Sequence, residues 1–345
     1  MASAIGIDWR SRLRRAVPQI VAGFVIGTAT LVLAVRGVDW PAVGNALLHA
    51  RPGMVALALA SVVLAVMLSV VRWRLLFAPG QADLRWRSLA GAILIGQTLN
   101  IVIPARVGEL ARIYLVGSRE AVSKSRVTAT IVVEKVADLA IFAVSIGLLL
   151  IGMTMPEWMS RSGVALIGTA AVLVIATVAL TFWSEALLRI IERLASHLPL
   201  RIREAIVRIA AAALGALHSL RDWRLGLAIW MLSAAIFFVS IATNYLVLAA
   251  MGLALPPVAA LFLTIVLRIG VAPPSLPGRL GLFQYLIVLA LAMFGVNRTA
   301  ALSFSFALYA VAVVPILIAG SISLFAFRWK VDSTAAANVS GVEGA

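Results

Sequence analysis

Residues 99–115 read LNIVIPARVGELARIYL and, after a short basic loop, residues 128–142 read TATIVVEKVADLAIF. These stretches place Arg106, Glu109, Arg112, Glu134, Lys135 and Asp138 in segments that are otherwise apolar. An ionisable group at membrane depth is expensive, so it is usually turned inward, paired and functional. Asn100 and Pro104 interrupt the first stretch, and the apolar run on either side is too short to cross a bilayer alone. A broken helix beside buried charge is how many transporters build a site for a polar group. The same residues also suit a purely architectural set of ion pairs that fixes helix register.

The surrounding chain is a lipid-dissolved one. Of its 345 residues 63% are hydrophobic, and the mean hydropathy is +1.06. Soluble domains sit near ~45–50% apolar. Six runs have spanning length: 17–35, 54–77, 127–153, 163–183, 225–251 and 299–327. The first follows Arg10, Arg12, Arg14 and Arg15 and has no small-x-small cleavage site before Arg36, so it reads as a retained helix. Its Gly23 and Gly27 are spaced for close approach of another helix. A loop carrying Arg36, Asp39, His49 and Arg51 is expected next.

Two further runs are broken. Residues 88–103 and 107–117 flank Pro104, and residues 257–272 and 282–294 flank Pro273 and Pro274. Each pair reads as a re-entrant hairpin that returns to its own side. The expected fold class is therefore an all-α polytopic bundle of about six full spans plus two broken re-entrant hairpins, in one membrane domain over residues 1–330. Within 185–222, Leu187, Leu188, Ile191 and Leu194 share a helical face, and Ile202, Ile206, Ile209 and Leu217 repeat the pattern. These suit cytoplasmic amphipathic helices, lying either on an anionic lipid surface or against other cytosolic segments. The polar residues 331–345 are expected to be a disordered tail.

The formal net charge of +15 could suggest nucleic acid, but the Lys and Arg residues cluster at the ends of apolar runs. With both broken segments re-entrant, 22 of the 29 basic residues fall on one side and 4 on the other. The positive-inside rule then puts both termini in the cytoplasm and the protein in the cytoplasmic (inner) membrane. The two hairpins enter from opposite faces, which by hydropathy alone suggests an inverted repeat with a site near the midplane. Cysteine is absent and His49, His197 and His218 are scattered, so no metal site is expected. No phosphate-binding G-x-x-x-x-G-K-[ST] loop, H-E-x-x-H or G-x-S-x-G occurs, so no nucleotide cofactor and no enzymatic activity are expected.

Pro104 suits the first position of a half-helix, and the free amides after it would favour an anion such as phosphate. Arg106 and Arg112 can add bidentate contacts to phosphate oxygens. The spacing Arg106, Glu109, Arg112 allows a local network. Glu134 and Asp138 share a helical face, with Lys135 turned roughly 100° away. The two carboxylates can receive an amine, carry a proton, or pair with Arg106 and Arg112. The glycines and prolines of the second break serve either a tight turn or a binding role.

The run Asn100, Pro104, Arg106, Gly108, Glu109, Arg112, with Glu134, Lys135 and Asp138 after it, resembles the lysylphosphatidylglycerol synthase transmembrane-domain family of flippase-like proteins. The later Pro274, Pro277, Gly278, Gly281, then Phe294 and Gly295, resembles that family's second motif. Arg279 stands in place of that motif's second glycine, and Gln284 in place of its glutamate. Where the family often has an arginine in the last span, this chain has Tyr309 and Ala310. The resemblance implies movement of a lipid with a charged or glycosylated headgroup between leaflets, with these residues, Gln284 included, as the substrate-binding set. Longer relatives fuse an aminoacyl-transferase domain, so this chain is not expected to synthesise the lipid. Two alternatives stay open: a non-transporting subunit that anchors a lipid- or glycan-modifying enzyme, and an integral membrane transferase. Expected partners are the lipid substrate, anionic lipids at the cytoplasmic surface, and a second copy or a lipid-modifying enzyme.

Overall fold

The computed structural model describes residues 25–77, 84–103, 107–120, 122–152, 168, 172, 184–196, 203, 207, 223–270 and 276–326. Pro104, Arg106, Pro273, Pro274, Gly23, most of the run 163–183, nearly all of the second amphipathic piece and the tail lie outside them. Every regular element among the described residues is helical. Among the described residues three helices are long and apolar enough to cross a membrane: Pro52–Leu76, Arg224–Ala250, and Arg298–Ala326 taken as one.

In chain order the helices are α1 (Val25–Val35), α2 (Trp40–Leu48), α3 (Pro52–Leu76), α4 (Trp86–Val102), α5 (Gly108–Arg119) and α6 (Lys124–Gly152). Then come α7 (Ser184–Ala195), α8 (Trp223–Ala250), α9 (Pro257–Gly270), α10 (Leu282–Ala292), α11 (Arg298–Ala312) and α12 (Val314–Ala326). The expected loop between the first two spans is instead largely α2, bent 86° from α1. Asp39 caps α2 by accepting from the Ala42 amide at 3.2 Å, and a proline opens its first turn. A helix start of this kind needs only a side-chain acceptor and a residue that does not miss its N–H.

Hydrogen bonds between helices fix the topology. Ser61 pairs with Thr243 (2.7 Å), Arg72 with Ser233 (2.9 Å), and the Arg51 amide donates to Ala250 O (2.9 Å). Numbers rise on α3 as they fall on α8, so the two run antiparallel along their length. On α4 and α5, Asn100 meets Gly108 and Arg85 meets Glu120, which makes these two an antiparallel hairpin. On α9 and at the end of α10, Phe262 meets Phe294 edge to face and Gly270 abuts Leu286, the same arrangement again. A single kinked span through Pro104 would have kept α4 and α5 running in one direction; the hairpin does not.

Two ends of the bundle follow. At one, Arg298 Nη1 donates to Arg36 O (2.8 Å) and Arg51 meets Ala250. At the other, Arg85 pairs with Glu120 and Arg126 Nη2 donates to Phe77 O (3.3 Å). The α4–α5 hairpin opens at the Arg85 end and the α9–α10 hairpin at the Arg36 end. Two apolar cores correspond. One is built from α8, α9, α10 and α11 around Leu263, Ile287 and Leu302, and the other from α3 through α6 around Trp73, Leu89 and Val116. On α7, Leu188 packs against the second core while Ile190 and Leu194 stay exposed.

Glycines set the closeness of the hairpin that carries most of the charge. A Cβ on Gly108 would collide with Gly96 O and with the Asn100 side chain, so α4 and α5 meet backbone to backbone. Gly281 has φ +83°, where L side chains are strained, and it lies against Gly27 of α1. The Gly281 amide donates to Gln284 Oε1 (2.8 Å), capping α10 from within. Gly108→Ala is expected to destabilise the protein by about 1–3 kcal/mol through overpacking. Gly53→Ala, whose Cβ meets nothing within 4 Å, is expected to leave the melting temperature in detergent almost unchanged.

Candidate functional site

The central feature is a buried charge network tying three helices together. Glu134 of α6 receives Arg112 of α5 in a two-pronged contact, Nη1 to Oε1 at 3.1 Å and Nη2 to Oε2 at 2.7 Å. Arg72 of α3 reaches the same carboxylate at 3.4 Å and donates to Asp138 one turn along α6. It also donates to Ser233 of α8 at 2.9 Å. Arg72, Arg112 and Glu134 are all nearly inaccessible, at 3%, 8% and 7%. Planar guanidinium groups match carboxylates in pairs of parallel hydrogen bonds, and this geometry is what makes such burial tolerable.

Trp73 forms the floor. The Arg112 guanidinium lies over its ring at 4.0 Å from the centroid, and its indole N–H donates to Thr130 Oγ1 at 3.1 Å. One cation is thereby held by an ion pair on one side and an aromatic face on the other. Beside this, Asn100 reaches across the hairpin. Its Oδ1 accepts from the Gly108 amide (2.8 Å) and its Nδ2 donates to Glu109 (3.1 Å). Glu109 also pairs with the half-exposed Lys135 at 3.2 Å. The described helix begins at Gly108, whose amide is already engaged by Asn100, and the expected start at Pro104 lies outside the described residues.

The expected local pairing of Glu109 with Arg112 is replaced among the described residues by two pairings to α6. Residues three apart on α5 can meet, but Glu134 and Lys135 point to different sides of α6 and draw the two apart. Gly108, Gln284, Gly278 and Gly281 line none of the cavities described next, and the side chain of Pro277 lies outside the described ones. Gln284 is fully buried as the α10 cap, and Tyr309 donates its hydroxyl to Gly278 O at 2.9 Å.

Three adjoining cavities open from the network. One of about 190 Å³ is lined by Arg72, Arg112, Glu134, Asp138, Gln97 and Ser233 among others. A second, more apolar one of about 430 Å³ lies between α3, α4, α8, α9 and α11, where apolar side chains such as Val62, Ile101 and Leu308 stand beside polar ones such as Thr243, Asn244 and Arg268. A third, of about 360 Å³, is lined by Asn100, Glu109 and Lys135 from one side and by Leu267, Arg268, Arg279 and Phe283 from the other. Both interrupted segments therefore face one polar space. Asn100 and Arg268 line all three cavities.

Residues 20–320 match the family described as "Lysylphosphatidylglycerol synthase TM region". The chain belongs to that family. A curated relative, "Glycosyltransferase AglD" of Haloferax volcanii, is 34% identical over 148 residues. The match takes in 42% of this chain and 23% of that protein, so the chain spans under a quarter of its relative's length. A membrane protein tied to lipid or glycan handling is the shared denominator.

Arg72, Trp73, Ser233 and Arg268 are part of this site and are not recognisable from the motif. Arg72 stands in an R-W-R triplet at the end of an apolar helix, where arginine usually marks the interface. Arg74, two residues on and so roughly 200° around the helix, does lie over Trp86 near that end, 4.5 Å from the ring. Arg72 turns the other way, into the bundle.

Removing one partner of a buried pair strands the other charge. Glu134→Ala is expected to destabilise by about 3–5 kcal/mol. Lys135→Ala, at a pair with a half-exposed lysine, is expected to change stability by about 0–1 kcal/mol. Thermal unfolding of both variants in the same detergent measures the difference.

Proposed function

We propose that this protein is a lipid flippase of the cytoplasmic membrane, moving a lipid with a charged or glycosylated headgroup between leaflets. The observation that carries the reading is the polar space shared by two hairpins that open at opposite ends of the bundle. A lipid headgroup needs a hydrated, hydrogen-bonding route through hydrocarbon, and its chains need an apolar flank. The polar cavity at Glu109 and Lys135 and the more apolar cavity at Val62, Ile101 and Leu308 adjoin in this way, sharing Asn100 and Arg268. Discontinuous helices that enter from both faces place such a site near the midplane and let one half rock against the other.

In this reading six full spans and two re-entrant hairpins cross or enter the bilayer. The basic Arg85 end is cytoplasmic, because 22 of 29 Lys and Arg residues are assigned there by sequence, and 20 once the buried Arg72 and Arg112 are left out. The Arg72–Glu134–Arg112 network holds α3, α5 and α6 in register around the route. The partial match to a protein named as a glycosyltransferase keeps a second reading in view, that of a membrane subunit supporting a glycan- or lipid-modifying enzyme.

Purified protein in liposomes with a labelled phospholipid is expected to speed leaflet exchange. Arg112→Lys, which keeps the charge and loses the two-pronged contact, should slow it roughly tenfold. No exchange by folded protein, with a modifying enzyme co-purifying at fixed ratio, would favour the subunit reading instead. Orientation has its own check, helped by the absence of native cysteine. In intact cells an impermeant maleimide should label His49→Cys and spare Ser118→Cys; the reverse pattern would invert the topology.

A further inference from the structure

The smallest of the three cavities has an odd charge. It is lined by four cations, Arg72, Arg112, Lys135 and Arg268, and by three carboxylates, Glu109, Glu134 and Asp138. Three pairs account for six of these: Arg112 with Glu134, Arg72 with Asp138, and Lys135 with Glu109. Arg268 is left over. Its guanidinium lies 5.0 Å from the Phe237 ring centroid, and no carboxylate lies within ion-pair distance of it among the described residues. Its side chain is exposed, and it borders all three cavities.

Depth makes this cation informative. Arg268 is eleven residues beyond the start of α9 at Pro257, about 16 Å along the helix axis, roughly half the ~30 Å hydrocarbon thickness. A guanidinium there without a paired carboxylate is costly; among the described residues the Phe237 face meets it, and Asp138 attracts it only from beyond ion-pair distance. A phosphoryl group fits it, because two of its oxygens match the guanidinium fork. Close by, the buried Gln97 Oε1, on the wall shared by the small and the apolar cavity, has no hydrogen-bond partner and can accept from a headgroup hydroxyl. The apolar cavity that Arg268 also borders offers room for hydrocarbon chains.

We infer that Arg268 is the receptor for the phosphoryl group of a lipid whose headgroup is net negative, and that a headgroup bearing an added amine is disfavoured. The inference rests on the transport reading only in assigning the anion to a lipid. The internal carboxylates are already consumed by Arg72, Arg112 and Lys135, so none is free to receive an ammonium group. An aminoacylated headgroup would bring a positive charge into a space that already carries an excess of one.

Equilibrium binding to the full chain in nanodiscs or detergent tests this without any transport step. Phosphatidylglycerol and lysyl-phosphatidylglycerol of identical acyl chains are competed against each other on the unaltered protein, with native mass spectrometry as readout. Phosphatidylglycerol is expected to win by roughly tenfold or more, the scale of one charge-assisted contact. Arg268→Gln should erase the preference, Arg268→Lys should keep part of it, and Arg51→Gln at the bundle end should leave it intact. Equal or stronger binding of the lysylated lipid would overturn the inference, as would an undiminished preference in Arg268→Gln. Displacement of the lipid by millimolar inorganic phosphate would assign the site to a free ion and overturn the lipid assignment. Leaflet exchange failing while this preference holds would count against the transport reading alone.

Discussion

A single carboxylate, Glu134, accepts both Arg112 and Arg72, and the placement of the surrounding helices depends on it. Two guanidinium groups and a carboxylate held out of water are costly unless most of their hydrogen-bonding directions are met. Asp138, Ser233 and the Trp73 face supply most of what Glu134 cannot, and only the Nε atoms of Arg72 and Arg112 are left without a hydrogen-bond partner within the network. The requirement ties α3, α5, α6 and α8 to one another at fixed rotation. It also sets α5 close against α4, because Arg112 reaches Glu134 only when Gly96 and Gly108 let the two helices touch.

From that constraint the cavity follows. Hairpin α4–α5 is held with Asn100 and Glu109 facing inward, and hairpin α9–α10 approaches from the other end with Arg268 and Arg279. The apolar cores sit above and below, around Leu263 and Leu302 on one side and Trp73 and Leu89 on the other. Polar space is thus confined to the level where the helices are interrupted. Elsewhere the lipid-facing surface is the ordinary one, with Leu57, Met67, Phe238 and Ile318 exposed.

Much of this was legible in the chain because charge and proline are rare in an apolar sequence and each occurrence carries meaning. The antiparallel α4–α5 hairpin was readable from Pro104 and the basic loop, and the pairing of Arg112 with Glu134 was one of three roles open to that carboxylate. What was not legible depends on contacts between distant segments. Arg72 looks like an interfacial arginine until α6 is packed beside it. Glu109 turns from its neighbour Arg112 to Lys135 because α6 offers a nearer cation. The helix Trp40–Leu48 was hidden because Asp39, Trp40 and Pro41 read as a polar connection, although an aspartate cap and a proline are a sound way to start a helix. In the second break the motif glycines serve the turn, at positive φ and against Gly27 and Tyr309, while Arg279 and Phe283 line the cavity.

The central claim is that water reaches membrane depth between the two hairpins, beside the charge network. Ser69 borders both the charged and the apolar cavity, whereas Met67, two residues earlier on α3, is 59% exposed on the outer surface. In the cysteine-free protein reconstituted into bilayers, Ser69→Cys and Met67→Cys are compared for reaction with a small, charged thiosulfonate, which requires a hydrated thiolate. The account predicts rapid modification at position 69 and none at position 67. A position 69 thiol as inert as that at position 67 would contradict it.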